Sequence, residues 1–384
     1  MNRKRREEMR TKIKQLNSFG QSVWLDYISR ELIDNGHLQK IIDMGVLGVT
    51  SNPSIFNKAI TSGTNYDNLI RQLAQAGEKT LTIYDSLTIK DIQDAADLFM
   101  PIYLKTEQKD GFVSLEVNPN LAHDTEGTIS EGMRLFNEVN RSNVMIKVPS
   151  TREGFPAIET LVSQGVNINV TLIFSREQYI QSVQAYLKGV KKRIKNQEQV
   201  NQVNSVASVF VSRVDTLVDR LLEEKISFTI DEKKKKELKE VKGRAAVANA
   251  RLIYQQYKDI FSSTEYRKLA DKGVHVQRLL WGSTSAKNPA YSDIKYVTEL
   301  IGKDTINTMP EKTLQAFLEH GIVRDAMKLQ TFKANNILVQ LKNNNIDIDD
   351  ICLQLLKEGV NLFKESFKSL LKSIEQKRKS FLVD

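Results

Sequence analysis

The chain has 384 residues, 40% of them apolar, which is enough for one large core or two ordinary ones. The formal net charge is +9, yet residues 1–14 carry seven basic and two acidic side chains and residues 361–384 carry six and three, so most of the excess lies in the two ends. That pattern reads as solvated, charged helical tails on a nearly neutral body and argues against nucleic acid as a partner, which calls for a basic face with interleaved aromatics. No run approaches the ~20 apolar residues of a membrane span, so no membrane association is expected. A single cysteine, Cys352, rules out an internal disulfide and suits a reducing compartment. Four scattered histidines, without CxxC or HxxxH spacing, give no metal site. The basic N-terminus has no apolar stretch behind it, so a signal peptide is not expected and a cytoplasmic location is.

Apolar, β-branched runs recur with helical stretches between them. Residues 23–28 (VWLDYI) read as a first strand, followed by a helical pattern through Leu32, Ile33, Leu38, Ile41 and Ile42. Residues 48–50 form a short second strand, with helical material around 68–76 and 89–106. A third strand at 112–117 (FVSLEV) leads through a helix at 129–139 into a fourth at 144–148. A helix near 155–163, a fifth strand at 168–174, a helix near 176–193 and a sixth strand at 208–214 follow. A long charged helical region spans about 231–261, with the lysine run 233–236 as a solvated helix face. A seventh strand is expected at 274–281 and a short eighth at 305–308. Eight strands alternating with helices, continuously apolar as strands covered on both faces are, predict an α/β fold of the parallel (β/α)8 TIM-barrel type. The open doubly wound alternative would carry a Gly-rich first turn, and GxGxxG is absent.

After Pro310 the pattern is helical only, at 311–319, 322–342 and 348–379, with Asn343, Asn344 and Asn345 as a turn. The organisation expected is a basic N-terminal tail over 1–16, a barrel domain over 17–320 and an appended C-terminal helical segment over 321–384. The apolar positions Ile351, Leu355, Leu356, Val360, Phe363 and Phe367 suit either the barrel or a partner subunit, which leaves an oligomer open.

Lys147 is the most informative residue. It lies in the short apolar run NVMIKVP, and a lysine rarely enters a core unless it is paired or functional. Burial disfavours the ammonium, and a neutral amine attacks a carbonyl to form a Schiff base. In a β/α barrel the reactive groups gather at the carboxyl ends of the strands, where the candidates are Asp26, Asn52, Glu116, Lys147, Asn169, Thr171, Ser208 and Arg213, with Ser283 and Lys287 after the seventh strand. Each has a plainer explanation. Lys147 can pair with a carboxylate, Asp26 and Glu116 can be its structural partners, and Asn52 before Pro53 can serve an Asx turn. Asn169 and Thr171 can form a polar layer, Ser208 can pack as a small residue, and Arg213 can bridge to Asp215 or Asp219. Their joint recurrence at successive strands favours a site.

These residues fall in blocks that resemble transaldolase: WLDYISR around Asp26, TSNPS around Asn52, SLEVNP around Glu116, MIKVPSTREG around Lys147, NVTLIFS from Asn169 and SVFVSRVDTLVD from Ser208. The later stretches LLWGSTSAKNPAYSD and DTINTMPEKTLQAF look like the longer bacterial subgroup, and the likeness runs from about Ser22 to His320. The resemblance implies a class I aldolase mechanism with the Schiff-base lysine on the fourth strand, where the unaided count also puts Lys147. It implies transfer of a dihydroxyacetone unit from sedoheptulose 7-phosphate to glyceraldehyde 3-phosphate, with sugar phosphates as substrates and no cofactor. Asp26 is then the base at the C4 hydroxyl, and Glu116 shuttles protons through a water held by Thr171. Asn52, Asn169 and Ser208 bind substrate hydroxyls, and Arg213 binds the phosphate. Shorter members carry an arginine where this chain reads GSTSAK, so Ser283 and Lys287 are the corresponding phosphate ligands here. A fructose 6-phosphate aldolase releasing free dihydroxyacetone is the alternative enzyme. A basic-tailed binding protein on a barrel scaffold is the alternative of another class.

Overall fold

The computed structural model describes residues 12–328 and 331–383. The first eleven residues of the expected basic tail lie outside them. Eight strands close in chain order into one parallel barrel: β1 (Gln21–Leu25), β2 (Val49–Thr50), β3 (Val113–Glu116), β4 (Val144–Pro149), β5 (Ile168–Ile173), β6 (Ser205–Phe210), β7 (Arg278–Gly282) and β8 (Thr305–Met309). The fold is a (β/α)8 TIM barrel with an added C-terminal helix, Ile348–Val383. Among the described residues no helix is long and apolar enough to cross a membrane.

The alternation of side chains along each strand builds the interior in layers. Trp24, Phe112, Met145, Val206, Leu280 and Ile306 form an apolar plug. Two residues further along their strands come Asp26, Lys147, Ser208, Gly282 and Thr308, which line a pocket above it. A Cβ at Gly48 would stand 2.6 Å from the Trp24 ring, so only glycine lets β2 approach the plug. Beneath the plug, Arg278 and Asp110 form an ion pair at 3.2 Å.

Several boundaries differ from the sequence reading. The expected sixth strand, 208–214, overshoots, because residues 212–228 are the helix Ser212–Phe228. The β-branched Val211 and Val214 look strand-like, but buried Val214, Leu217, Val218 and Leu222 repeat at helical spacing. Arg213 is therefore a helix residue, not a strand residue. β7 starts at Arg278 rather than 274, and the charged region 231–261 is two helices, Glu232–Val241 and Ala245–Phe261, parted at Gly243 with φ 69°. Residues 321–328 are not helical, and the next helix is Thr331–Lys342.

The end segments are less solvated than their charge suggests. Residues 12–19 are helical, and Ile13 and Leu16 are fully buried. On the helix Ile348–Val383, Phe363, Phe367, Leu370 and Ile374 are buried at spacings of four, three and four, which is one helical face. That face covers the barrel. Cys352 Sγ donates to the Phe174 carbonyl just past β5 at 3.3 Å, the Ser366 and Ser54 hydroxyls meet at 2.7 Å, and Phe367 packs edge-on against Tyr84 with centroids 5.2 Å apart. Lys377 Nζ reaches Asp67 at 2.5 Å. The helix thus runs across the carboxyl ends of the strands, from β5 to the helices that follow β2.

Candidate active site

Lys147 is on β4, in register with Glu116 on β3 and Asn169 on β5. It is 4% exposed. Its Nζ donates to the Ser51 carbonyl at 2.9 Å and stands 3.4 Å from Glu116 Oε2. The plainer reading of an ion-paired lysine is thus met in part, but by a single loose contact to a carboxylate that is itself buried. Glu116 Oε2 has no hydrogen-bond partner among the described residues. Burial pushes the Glu116 carboxyl up to about 7, although the Lys147 charge draws it down.

Asp26 stands one residue past β1, its backbone N–H donating to the Met309 carbonyl at 2.9 Å. Thr50 donates to Asp26 Oδ1 at 2.7 Å and meets the Thr308 hydroxyl at 2.7 Å. With its own proton committed to Asp26, Thr50 accepts from Thr308. Burial raises the Asp26 carboxyl, while Lys147, Thr50 and Lys287 oppose the rise. The two carboxyl groups therefore occupy different settings, one hydrogen-bonded and one under-satisfied.

A pocket of about 150 Å3 is lined by Asp26, Asn52, Lys147, Ser208, Arg213, Ser283 and Lys287. Seven of the ten expected site residues are thus brought to one cavity. The other three stand behind its wall. Glu116 touches Lys147 from an adjoining cavity that also holds Tyr84 and Phe367. Asn169 accepts from Ser208 Oγ at 2.6 Å and donates to Ser114 Oγ at 3.1 Å, so it orients Ser208. Thr171 Oγ1 is buried without a partner among the described residues.

Asn52 does carry the capping role that Pro53 suggested. Its Oδ1 accepts from the Ile55 N–H at 3.0 Å at the start of the helix Pro53–Thr61. The cap uses the oxygen and leaves the amide N–H2 available to the pocket. Arg213 does not bridge to Asp215 or Asp219. Asp215 accepts from Tyr296 and the Ala246 N–H at 2.9 and 2.7 Å, and Asp219 from Tyr291 and the Gly243 N–H at 2.5 and 2.8 Å. The Arg213 guanidinium lies over the Phe210 ring at 5.7 Å, and burial lowers its proton affinity, with Glu358 offsetting. Ser283 has φ 52° and meets the Ser212 hydroxyl at 3.0 Å, next to Arg213, while the exposed Lys287 donates to Ser285 Oγ at 2.8 Å.

Sequence reasoning missed Thr50, Phe210, Ser285 and Phe363, all on the pocket wall. Thr50 and Phe210 were within reach, since each lies on the pocket-facing parity of its strand. Phe363 comes from 216 positions beyond Lys147, and its apolar spacing gives no local signal of a place in the pocket.

The family model described as Transaldolase/Fructose-6-phosphate aldolase matches residues 23–374. A transaldolase of Trichodesmium erythraeum is 45% identical over 368 residues, which cover 95% of this chain and 97% of that one. Transaldolase 2 of a Nostoc species is 43% identical over 369 residues, 95% and 97% of the two chains. A transaldolase of Saccharopolyspora erythraea is 43% identical over 363 residues, 94% and 96%. With its barrel, its enclosed lysine and these likenesses, the chain belongs to the transaldolase/fructose-6-phosphate aldolase family.

Proposed function

We propose that this chain is a transaldolase that moves a dihydroxyacetone unit from sedoheptulose 7-phosphate to glyceraldehyde 3-phosphate, giving erythrose 4-phosphate and fructose 6-phosphate. The observation that carries the reading is the enclosed Lys147 Nζ, 3.4 Å from Glu116 and in one pocket with Asp26. In this reading the Lys147 amine adds to the donor ketone, and loss of water gives an iminium. The iminium takes up the electron pair of the breaking C3–C4 bond. Glu116, titrating near neutrality, gives and takes the protons of carbinolamine formation and dehydration. Glu116 Oε2 and Thr171 Oγ1, both buried without a hydrogen bond among the described residues, suit a bridging water between them. Asp26, whose carboxylate form Thr50 and Lys147 favour against burial, takes the C4 hydroxyl proton in cleavage and returns it to the acceptor aldehyde.

The Asn52 amide donates to a hydroxyl of the three-carbon unit, and Ser208 Oγ, its own proton held by Asn169, accepts from another. Arg213, which makes no ion pair among the described residues, takes the phosphate as a fork. Ser283 and Lys287 complete that end as a hydroxyl and a point charge. A cytoplasmic setting, expected from cysteine usage, is part of the reading.

Borohydride trapping with fructose 6-phosphate, followed by mapping of the modified peptide, tests the proposal. The adduct should fall on Lys147, and Lys147→Ala should abolish both adduct and turnover. Asp26→Ala should keep the adduct and lose turnover. Turnover by the Lys147 variant, or no trapped adduct in the Asp26 variant, overturns these assignments. The aldolase alternative within the same family predicts turnover without an acceptor aldehyde.

A further inference from the structure

We infer that Phe363, on the C-terminal helix, determines that the bound three-carbon unit is passed to an aldehyde rather than protonated and released; the inference rests on the function proposed above. Phe363 is 3% exposed and lines the same pocket as Asp26, Lys147, Arg213 and Ser283. A buried phenylalanine on an apolar helix face is ordinary packing in itself. What separates Phe363 from Leu370 or Ile374 is its company, a pocket whose other side chains are mostly polar or charged. One turn further along, Phe367 lies on the adjoining cavity beside Glu116. Consecutive rings on one helix thus close the lysine and its carboxylate partner from above.

The helix is seated to bring them there. Upstream, a Cβ at Gly359 would come within 2.9 Å of Leu172, a β5 residue in the left-handed region with φ 60°, so glycine permits the close approach beside Thr171. Downstream, Ser366 meets Ser54, itself on the pocket wall, and Thr80 and Asp67 hold Glu375 and Lys377.

The chemistry says why such a roof matters. After the C3–C4 bond breaks and the aldehyde leaves, the three-carbon unit remains on Lys147 as an enamine. Transfer forms a new bond from its carbon to the acceptor carbonyl, and the acceptor oxygen takes a proton. The competing route puts a proton on that carbon instead, giving an iminium. Water then adds, the carbinolamine collapses, and the Lys147 amine leaves free dihydroxyacetone. The net competing reaction is donor to dihydroxyacetone plus aldehyde, with no other reactant consumed. Hydrolysis of an iminium ends both routes, so what is peculiar to the competing one is the proton delivered to the enamine carbon, and an aromatic lid denies water access to bring it there.

The test uses the full chain and the series Phe363→Leu, Phe363→Val and Phe363→Ala. Two rates are measured with fructose 6-phosphate: dihydroxyacetone release without acceptor, and transfer to erythrose 4-phosphate. Their ratio should stay near the wild-type value with Leu and increase with the volume removed, reaching about tenfold for Ala, which corresponds to about 1.4 kcal/mol between the competing barriers. Borohydride trapping on Lys147 is followed in parallel. A wild-type enzyme without adduct removes the functional reading itself. Adducts throughout, with a ratio unchanged across the series, overturn the role of Phe363 alone. Should the Ala variant not fold, the Leu and Val pair decides, because no rise at Val is equally fatal.

Discussion

Glu116→Gln is the most searching single perturbation of the site. The amide keeps the volume of the side chain and still faces Lys147 Nζ across the 3.4 Å gap, but it cannot exchange a proton. A carboxyl titrating at about 7 is evenly divided at neutral pH, so it is matched to both giving and taking protons. Losing such a group costs about 10²–10⁴ in rate, so kcat should fall at least about a hundredfold. The inflection near pH 7 in kcat/KM should vanish with it, while the borohydride adduct on Lys147 should still form, more slowly. Stability gives an independent check. The carboxyl is raised from an ordinary 4.5 to about 7, so its favourable contribution is complete below 4.5 and is lost as pH rises through 7. That gap is worth at most about 3 kcal/mol. Wild-type melting temperature should therefore decline between pH 5 and 8 more steeply than that of the variant. Full-speed turnover with an unchanged pH profile would reduce Glu116 to a structural partner of Lys147.

Three further outcomes follow from the same geometry. Thr50→Val removes a hydrogen bond that favours ionised Asp26, so kcat/KM should drop on the acid side and recover as pH rises; a uniform loss at all pH values contradicts this. Arg213→Ala should raise KM for phosphorylated ketoses about tenfold or more, as expected from a charge-assisted hydrogen bond worth about 1.5–3 kcal/mol, and leave adduct formation with unphosphorylated fructose unchanged. Tyr291→Phe breaks the 2.5 Å bond to Asp219 that ties the segment after Lys287 to the Arg213 helix. It should raise KM for phosphorylated substrates a few-fold at constant kcat, and a fall in kcat instead would place the effect elsewhere.

The barrel and its lysine were legible because both rest on local pattern. Strands covered on two faces are apolar throughout, so a lone cation in such a run stands out, and β4 was found within a residue of its extent. The assignment of Arg213 to a strand failed for an equally local reason. Residues 208–214 are rich in valine, and only the burial of Leu217, Val218 and Leu222 decides for a helix. The C-terminal helix was read correctly as a helix, but its destination is a tertiary fact. The spacing of Val360, Phe363 and Phe367 announces an apolar face, and nothing in it says that the face lies over Lys147. Asn52 shows a third case, where the capping and substrate readings are compatible because one amide has two ends.

Burial alone does not mark a reactive amine, because the same barrel encloses a second cation–carboxylate pair. Arg278 below the plug is 5% exposed, much like Lys147 at 4%. Its guanidinium donates to the Lys109 and Thr305 carbonyls at 2.8 and 3.1 Å and to Ser22 Oγ at 2.6 Å, and it pairs with Asp110 at 3.2 Å. Asp110 in turn accepts from Ser22 and the Trp24 indole at 2.7 and 2.9 Å. Such a network offsets the cost of taking two charges out of water and fixes the bottom of the barrel. Lys147 has one carbonyl and one long contact to Glu116 Oε2, an oxygen with no hydrogen bond among the described residues. In the mechanism proposed above, this incompletely satisfied pair is the one a carbonyl substrate meets. The pair below the plug thus leaves only Arg278 Nε without a partner among the described residues, whereas Lys147 and Glu116 share one long contact at the carboxyl end of the strands, so the two buried ion pairs differ in how fully they are hydrogen-bonded.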